Sequence, residues 1–325
     1  MKKILVSLAA LFSAVAFGAT TLPVQLINPT GSSSGQAIVS NGASSAPAWG
    51  GIGVNGIAAI AANTVLANAT ASSASPTAFS MPSCSSSTSV LQWASGTGFQ
   101  CVTGLPGRLI NVQVFTSSGT YTPTSGQGHA IVKLQCAGGG SGGTATTTSS
   151  QYSVSSGAGS GGYAEVYYGA LSTTTVTIGA GGTAGAGGAS PTAGGTGGTT
   201  SFGSAISCTG GGGSVAGAAQ ADTNYYIGTA ASGGAAPTIS GGTTVLDLAG
   251  AQPQVRAMIM GSTTNPTSGA GANSILGQGG FQSQGSAASP VGYGAGAGGA
   301  ATNVSTTGNA GAVGGGGYIA VYEYQ

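Results

Sequence analysis

Between residues 137 and 317 the chain is written around glycine, with almost no charge to interrupt it. Runs such as Ala137-Gly138-Gly139-Gly140-Ser141-Gly142-Gly143 and Gly314-Gly315-Gly316-Gly317 recur through this part. Glycine brings no side-chain chemistry. What it offers is access to positive φ and the close approach of one backbone to another. Such tracts can run as extended, left-handed polyproline II helices, which satisfy none of their own hydrogen bonds. Several lying side by side can pair N–H with C=O between them, and any side chain would hold the neighbours apart. Fixing each residue costs about 1–2 kcal/mol of backbone entropy, and glycine loses more than most. An isolated tract is therefore unfolded, and only cooperative stacking offsets the loss. The expectation is that glycines form an interior while the tract ends carry loops.

Two other outcomes fit glycine-rich sequence less well. Collagen needs Gly at every third position, and no strict period is present. A disordered low-complexity coil is usually charged, whereas this chain has only 5 Lys or Arg and 4 Asp or Glu in 325 residues. Apolar runs of strand type also punctuate the glycines. Leu109–Phe115, His129–Cys136, Tyr163–Tyr168, Thr174–Ile178 and Tyr318–Tyr324 alternate apolar with polar residues, the pattern of half-buried strands. In the second, Val132, Leu134 and Cys136 share one face and Lys133 and Gln135 the other. Lys133, Glu165 and Glu323 are expected to face water or to guard a strand edge. The fold class expected is all-β: a small hairpin-rich stalk, then a strand framework with packed polyproline II-like tracts.

Ahead of this lie three loose echoes, 36–49, 63–79 and 89–99. Each has an aliphatic pair, a turn of small residues and an aromatic (Trp49, Phe79, Trp93 with Phe99). That is hairpin grammar, although a flexible Ser/Ala/Gly linker shares the composition. One such hairpin cannot stand alone, but three chains wrapped together could support it. The implied organisation is a signal-like segment at 1–18, a stalk at 19–80, a disulfide-bridged hairpin at 81–107 and a glycine-rich domain at 108–325.

Lys2 and Lys3 followed by the apolar run Ile4–Phe17 and the small residues around Gly18 read as a secretory signal, too short for a membrane span. Beyond it, Arg108, Lys133 and Arg256 stand against Glu165, Asp222, Asp247 and Glu323, three positive against four negative. That leaves no basic footprint for nucleic acid. Four cysteines permit three pairings. Cys84 and Cys101 flank 16 residues of hairpin-like sequence, so this pair is favoured. Such a closure stabilises by roughly 3 kcal/mol in the chain-entropy model. Cys136 with Cys208 follows by elimination.

The glycine-rich part, residues 109–325, resembles the glycine-rich domain at the ends of bacteriophage tail fibre and receptor-binding proteins. The residues that carry the likeness are Phe115–Pro123 as opening strand and turn, Val132–Gly140, Gly161–Glu165, Val176–Gly182, Gly197–Gly203, and Gly314–Tyr324 as closing strand. The echoes at 36–49 and 63–79 likewise resemble tail-fibre stalk modules. The resemblance implies a trimeric or tip-mounted virion protein that meets host surface proteins or glycans alongside other tail proteins. The signal-like segment supports the alternative of an exported surface adhesin or filament protein of prophage origin.

Catalysis is not expected. Glycoside hydrolysis wants two placed carboxylates, and Asp222 with Asp247 is the only pair left once Glu165 and Glu323 are assigned to strands. His129, the one histidine, lacks a nucleophile or orienting neighbour, no Lys follows a glycine run in P-loop fashion, and no ligand set for a metal or cofactor is present. Recognition remains. Asp222, Asn224, Tyr225 and Tyr226 form one candidate loop, Gln252–Met260 with Arg256, Met258 and Met260 a second, and Phe281 the centre of a third. Aromatic, Met and Arg side chains are common at binding hot spots.

Overall fold

A computed structural model describes residues 30–33, 36–52, 59–85, 89–103, 107–222, 226–255, 257–258 and 266–325. The signal-like segment at 1–18 lies outside them. The described residues are all-β, with no helix and hence none long and apolar enough to cross a membrane. The chain divides into two compact units. The first runs through Cys84 and includes Leu91–Cys101; the second comprises Ser85–Val90 and Val102–Gln325.

Each of the three echoes is a two-stranded antiparallel hairpin. β1 (Ala37–Val39) pairs with β2 (Ala48–Gly50), placing Ile38 opposite Trp49. β3 (Thr64–Ala67) pairs with β4 (Thr77–Ser80), placing Val65 opposite Phe79. β5 (Ser89–Ala94) pairs with β6 (Gly98–Thr103). In the second turn Asn68 Oδ1 accepts the Thr70 N–H at 3.0 Å and its amide donates to Ser72 O at 2.8 Å, the local bonding that makes Asn a turn residue. The aromatics meet in the first unit: Phe99 lies 6.2 Å from Phe79 and 5.0 Å from Trp93, the latter edge-on. Cys84 and Cys101 are bonded, with Cα atoms 5.4 Å apart.

The second unit contains β7 (Leu109–Phe115), β8 (Gly119–Tyr121), β9 (His129–Gln135), β10 (Gln151–Val154), β11 (Tyr163–Tyr168), β12 (Thr174–Thr177), β13 (Thr200–Phe202), β14 (Ile206–Cys208), β15 (Ala219–Ala221), β16 (Tyr226–Ile227), β17 (Thr238–Ile239), β18 (Thr243–Leu248), β19 (Ala257–Met258), β20 (Gly277–Gln278), β21 (Val291–Gly292), β22 (Ala301–Thr302) and β23 (Tyr318–Tyr324). Two five-stranded antiparallel sheets, ordered β18-β11-β9-β23-β7 and β17-β14-β13-β12-β8, supply its apolar core. The larger sheet contributes alternate residues: Ala130, Val132 and Leu134; Ala164, Val166 and Tyr168; Ile319 and Val321. The smaller contributes Tyr121, Val176, Phe202 and Ile206. The Cys136–Cys208 disulfide joins the end of β9 to the end of β14.

Two sequence expectations are corrected here. Glu323 does not face water; it is fully buried. It continues the inward set Ile319, Val321, Glu323, because alternate strand residues share a face. Its carboxylate takes Tyr121 Oη–H at 2.7 Å, the Thr124 N–H at 2.9 Å and hydroxyl at 2.6 Å, and the Gln113 amide at 3.2 Å. Lys133 and Glu165 stay partly open to water, as expected, although on inner strands rather than at an edge. They are opposite one another on the adjacent inner strands β9 and β11 and form an ion pair at 3.2 Å. Gln135 is also buried rather than exposed, because the glycine tracts cover the end of β9. Its amide donates to the carbonyls of Cys136, Gly161 and Gly162 at 3.2, 3.1 and 2.9 Å.

From that end of the sheets the glycine tracts extend as a slab of parallel and antiparallel extended segments. Residues 134–145, 152–164 and 294–302 are continuously buried. Their hydrogen bonds advance in steps of three. The N–H groups of Gly138, Ser141, Thr144 and Thr147 donate to Gly315, Ala312, Asn309 and Thr306. Those of Gly140, Gly143 and Thr146 donate to Gly195, Thr192 and Gly188. In the other sense Gly182, Gly185 and Gly188 donate to Gly138, Ser141 and Thr144, while Gly211, Ser214 and Gly217 donate to Ala137, Gly140 and Gly143. All lie between 2.8 and 3.1 Å. A three-residue repeat of outward bonds is what a helix of three residues per turn presents to its neighbours, so segment 137–147 serves as a hub bonded on several sides at once. Small hydroxyls fill steps the ladder misses: Ser155 Oγ–H donates to Gly142 O at 2.7 Å and accepts the Ala300 N–H at 2.9 Å.

The spacing leaves no room for a Cβ. One added at Gly139 would lie 2.1 Å from Gly212 O, and one at Gly140 2.1 Å from Thr183 O. Gly139→Ala is therefore expected to destabilise by about 3 kcal/mol or more, since backbone cannot step aside as a side chain does. Gly169→Ala, on an exposed turn where an added Cβ meets nothing within 4 Å, is expected to be neutral or slightly stabilising. Thermal denaturation of the two variants checks this.

Glu323 generates a second expectation. Burial pushes its carboxyl up, but the hydrogen bonds from Thr124, Tyr121 and Gln113 outweigh burial and hold its pKa below the ordinary 4.5. A depressed carboxylate contributes its full stability above the unfolded value and loses it as pH falls through the folded one. Wild type should thus lose this contribution only below pH 4.5. Glu323→Gln should be weaker at neutral pH by about 1.5–3 kcal/mol and should lack that part of the acid dependence, read from urea unfolding at a series of pH values.

Candidate functional site

The three stretches of larger residues that interrupt the glycine tracts are not independent. β16 and β19 pair antiparallel with Tyr226 opposite Met258 and Ile227 opposite Ala257, so the backbones of the first and second stretches lie side by side. The second stretch then meets the third. Gln252 and Gln254 share a cleft with Phe281, joined by Ala251, Ala270–Asn273 and Gln278–Gly280. Its volume is about 380 Å³, within the roughly 300–1,000 Å³ usual for ligand clefts.

The cleft is built from backbone upward. Gly271 donates to Gly280 O at 2.8 Å, Gly280 to Gly296 O at 3.0 Å and Gly296 to Ala272 O at 2.9 Å. Together they tie its floor to the buried 294–302 tract. Gln254 N–H donates to Ala270 O at 3.2 Å. Pro253 is buried between the exposed Gln252 and Gln254, as an extended segment alternates its sides. Asn273 Oδ1 accepts the Gly279 N–H at 2.7 Å and fixes the return of the chain into β20. Phe281 stands at the margin, 62% exposed. No lining side chain titrates. The cleft therefore offers amide donors and acceptors and one aromatic ring.

Of the other sequence-predicted residues, Asp222 follows β15, half-buried, with its N–H donating to Ser150 O at 2.9 Å. Asn224, Tyr225, Arg256 and Met260 lie outside the described residues, and of Tyr226 and Met258 only the strand pairing is described. Asn273 and Gln278 were not singled out from sequence. The available signal was modest: they are amide residues amid Gly, Ala and Ser, where anything larger needs a place at the surface. His129 is held in an aromatic stack, parallel to Tyr324 at 5.3 Å and 5.6 Å from Tyr167.

Comparison with known proteins finds no family model that matches the chain and no similar curated protein. Among the described residues no group of three or more His, Cys, Asp or Glu is placed to hold a metal ion.

Replacing Phe281 by Ala should change stability by less than about 0.5 kcal/mol, as expected for an exposed side chain outside any packed cluster. Asn273→Ala, which strands the Gly279 N–H, should cost about 1 kcal/mol. Paired melting curves separate the ring that touches from the amide that holds.

Proposed function

We propose that this chain is a non-catalytic receptor-binding protein of a bacteriophage tail fibre or tail tip, attaching the particle to a host cell-surface protein or glycan. The observation that carries the reading is a contrast within the second unit. A slab of bare backbone, held by its own hydrogen bonds, bears at its margin an uncharged cleft whose aromatic ring projects into solvent. Residues that project from such a scaffold are free to recognise, because the scaffold asks nothing of them. The cleft, with the Tyr226–Met258 strand pair and residues 223–225, is the proposed contact region. Asn224, Tyr225, Arg256 and Met260 belong to it by sequence.

The hairpins of the first unit support a stalk role. Two-stranded hairpins of three to six residues per strand are marginal alone, which favours association of copies. A homotrimer joined to other tail proteins is the form proposed. Lys2, Lys3 and the apolar run after them favour a second reading, an exported surface adhesin or filament protein of prophage origin. The location would then be the cell exterior rather than the virion tail.

Antibody raised against the purified chain should label tail tips in electron micrographs of the phage and block its adsorption to host cells. Labelling confined to the envelope of uninfected cells would instead establish the exported reading. In the purified protein, Phe281→Ala is expected to weaken cell binding by roughly tenfold, the loss of one hot-spot anchor, with the circular dichroism spectrum unchanged. Joint replacement of Tyr225 and Tyr226 by Ala should act in the same direction. Cell binding unaffected in both variants would remove the loops from the contact region.

A further inference from the structure

A second concavity lies on the outward face of the larger sheet. In β23, Tyr318, Ala320 and Tyr322 alternate with the core residues Ile319 and Val321 and so share the outward face. The small residue between two tyrosines, whose Cα atoms stand about 13 Å apart at 3.3 Å per residue, leaves a notch between them. Lys133 of β9 is the cross-strand partner of Ala320, and Glu165 of β11 is the partner of Lys133. The notch is roofed from the glycine slab. Leu276 and Tyr293 come from the β20–β21 hairpin, where the Tyr293 N–H donates to Leu276 O at 3.1 Å and Tyr293 O accepts the Ser274 hydroxyl. The groove so formed is about 370 Å³, lined by Lys133, Tyr163, Leu276, Tyr293, Tyr318, Ala320 and Tyr322.

Its chemistry is specific. Tyr293 and Tyr318 have ring centroids 4.8 Å apart at 36°, so they meet as a wedge rather than as a closed stack. Lys133 Nζ lies 5.5 Å from the centroid of Tyr322. Glu165 stands behind it, accepting from Lys133 at 3.2 Å and from Tyr163 Oη–H at 2.7 Å. The lysine charge is thus offset inside the protein, which gives an anion little reason to enter. What the groove presents is aromatic faces, which carry negative quadrupole and take polarised C–H groups, edged by phenol hydroxyls and ammonium donors.

A pyranose ring has the matching surface, with C–H bonds on one face and hydroxyls around the rim. We infer that this groove is a binding site for a neutral hexose or hexosamine unit of a glycan. Tyr293, Tyr318 and Tyr322 provide the platforms, and Lys133, oriented by Glu165, donates to a ring hydroxyl. The inference does not depend on the host-attachment reading. It concerns a cleft with no lining residue in common with the first and would hold equally for an exported surface protein.

The test uses the full chain with the methyl glycosides of glucose, galactose and N-acetylglucosamine. Saturation-transfer difference NMR should show transfer to the ring protons of at least one of them. In protein carrying ¹³C-labelled tyrosine, the same saccharide should shift the ring signals of Tyr293, Tyr318 and Tyr322 and leave that of the buried Tyr121 in place. Tyr293→Ala should weaken binding by roughly three- to tenfold, the worth of one aromatic contact, while Phe281→Ala should leave it unchanged. Absence of transfer from all three glycosides overturns the inference. So does a shift pattern in wild type that spares these three tyrosines, a result that needs no variant to fold. Loss of cell binding in Phe281→Ala with saccharide binding intact would separate this site from the proposed host-contact region.

Discussion

The structure depends on one geometric permission: two peptide backbones can lie flush only where neither carries a Cβ. At Gly139 and Gly140 the neighbouring carbonyl oxygens occupy the place a methyl group would need. That proximity lets the hub segment 137–147 give and receive hydrogen bonds on several sides at once, every third residue turning toward the same neighbour. An extended chain with no internal hydrogen bonds then finds its partners in its surroundings. The unit as a whole accepts the entropic penalty of ordering glycine. Burial of apolar side chains holds the two sheets, whereas backbone pairing holds the slab. The disulfide from Cys136 to Cys208 sits where the first mode gives way to the second.

Much of this arrangement was legible in the residues, because strand periodicity and glycine composition are local signals. The strands around Val132, Val166 and Val321 follow from alternation, and so do the three hairpins with their terminal aromatics. Pairing between tracts followed from the lack of any internal partner for their N–H groups. What escaped were matters of three-dimensional coverage. Glu323 was read as a surface charge on the general rule for carboxylates, although its two-residue spacing from Val321 already put it on the core face. Tyr121 and Thr124, the groups that make burial tolerable, lie some two hundred positions away in sequence. Gln135 sits on the outward face by parity, yet is covered by a slab whose position no strand pattern encodes. β18 was missed for the opposite reason. All six of its residues are exposed, so no alternation between core and solvent marks it.

The proposed contact region was legible only as composition. Phe281 and the Gln252–Met260 stretch stood out because they are large residues in a small-residue sequence. That Gln252, Gln254 and Phe281 meet in one cleft is set by hydrogen bonds among Gly271, Gly280 and Gly296, which nothing in those residue types announces. The tyrosines of β23 were visible too, but as strand formers. The notch exists because Ala320 separates them and Tyr293 arrives from a distant hairpin.

The placement of β23 also bears on how the molecule is made. This strand lies between β9 and β7, close to two hundred residues earlier in the chain, and the 306–317 tract just before it supplies partners for the hub. As the polypeptide emerges, the early strands and the first glycine runs must wait, uncapped, for a segment synthesised about two hundred residues later. Long-range closure of this kind is slow and leaves strand edges open to improper partners. A cell producing this protein in quantity would therefore need to shield the growing chain until β23 slots into the gap kept for it.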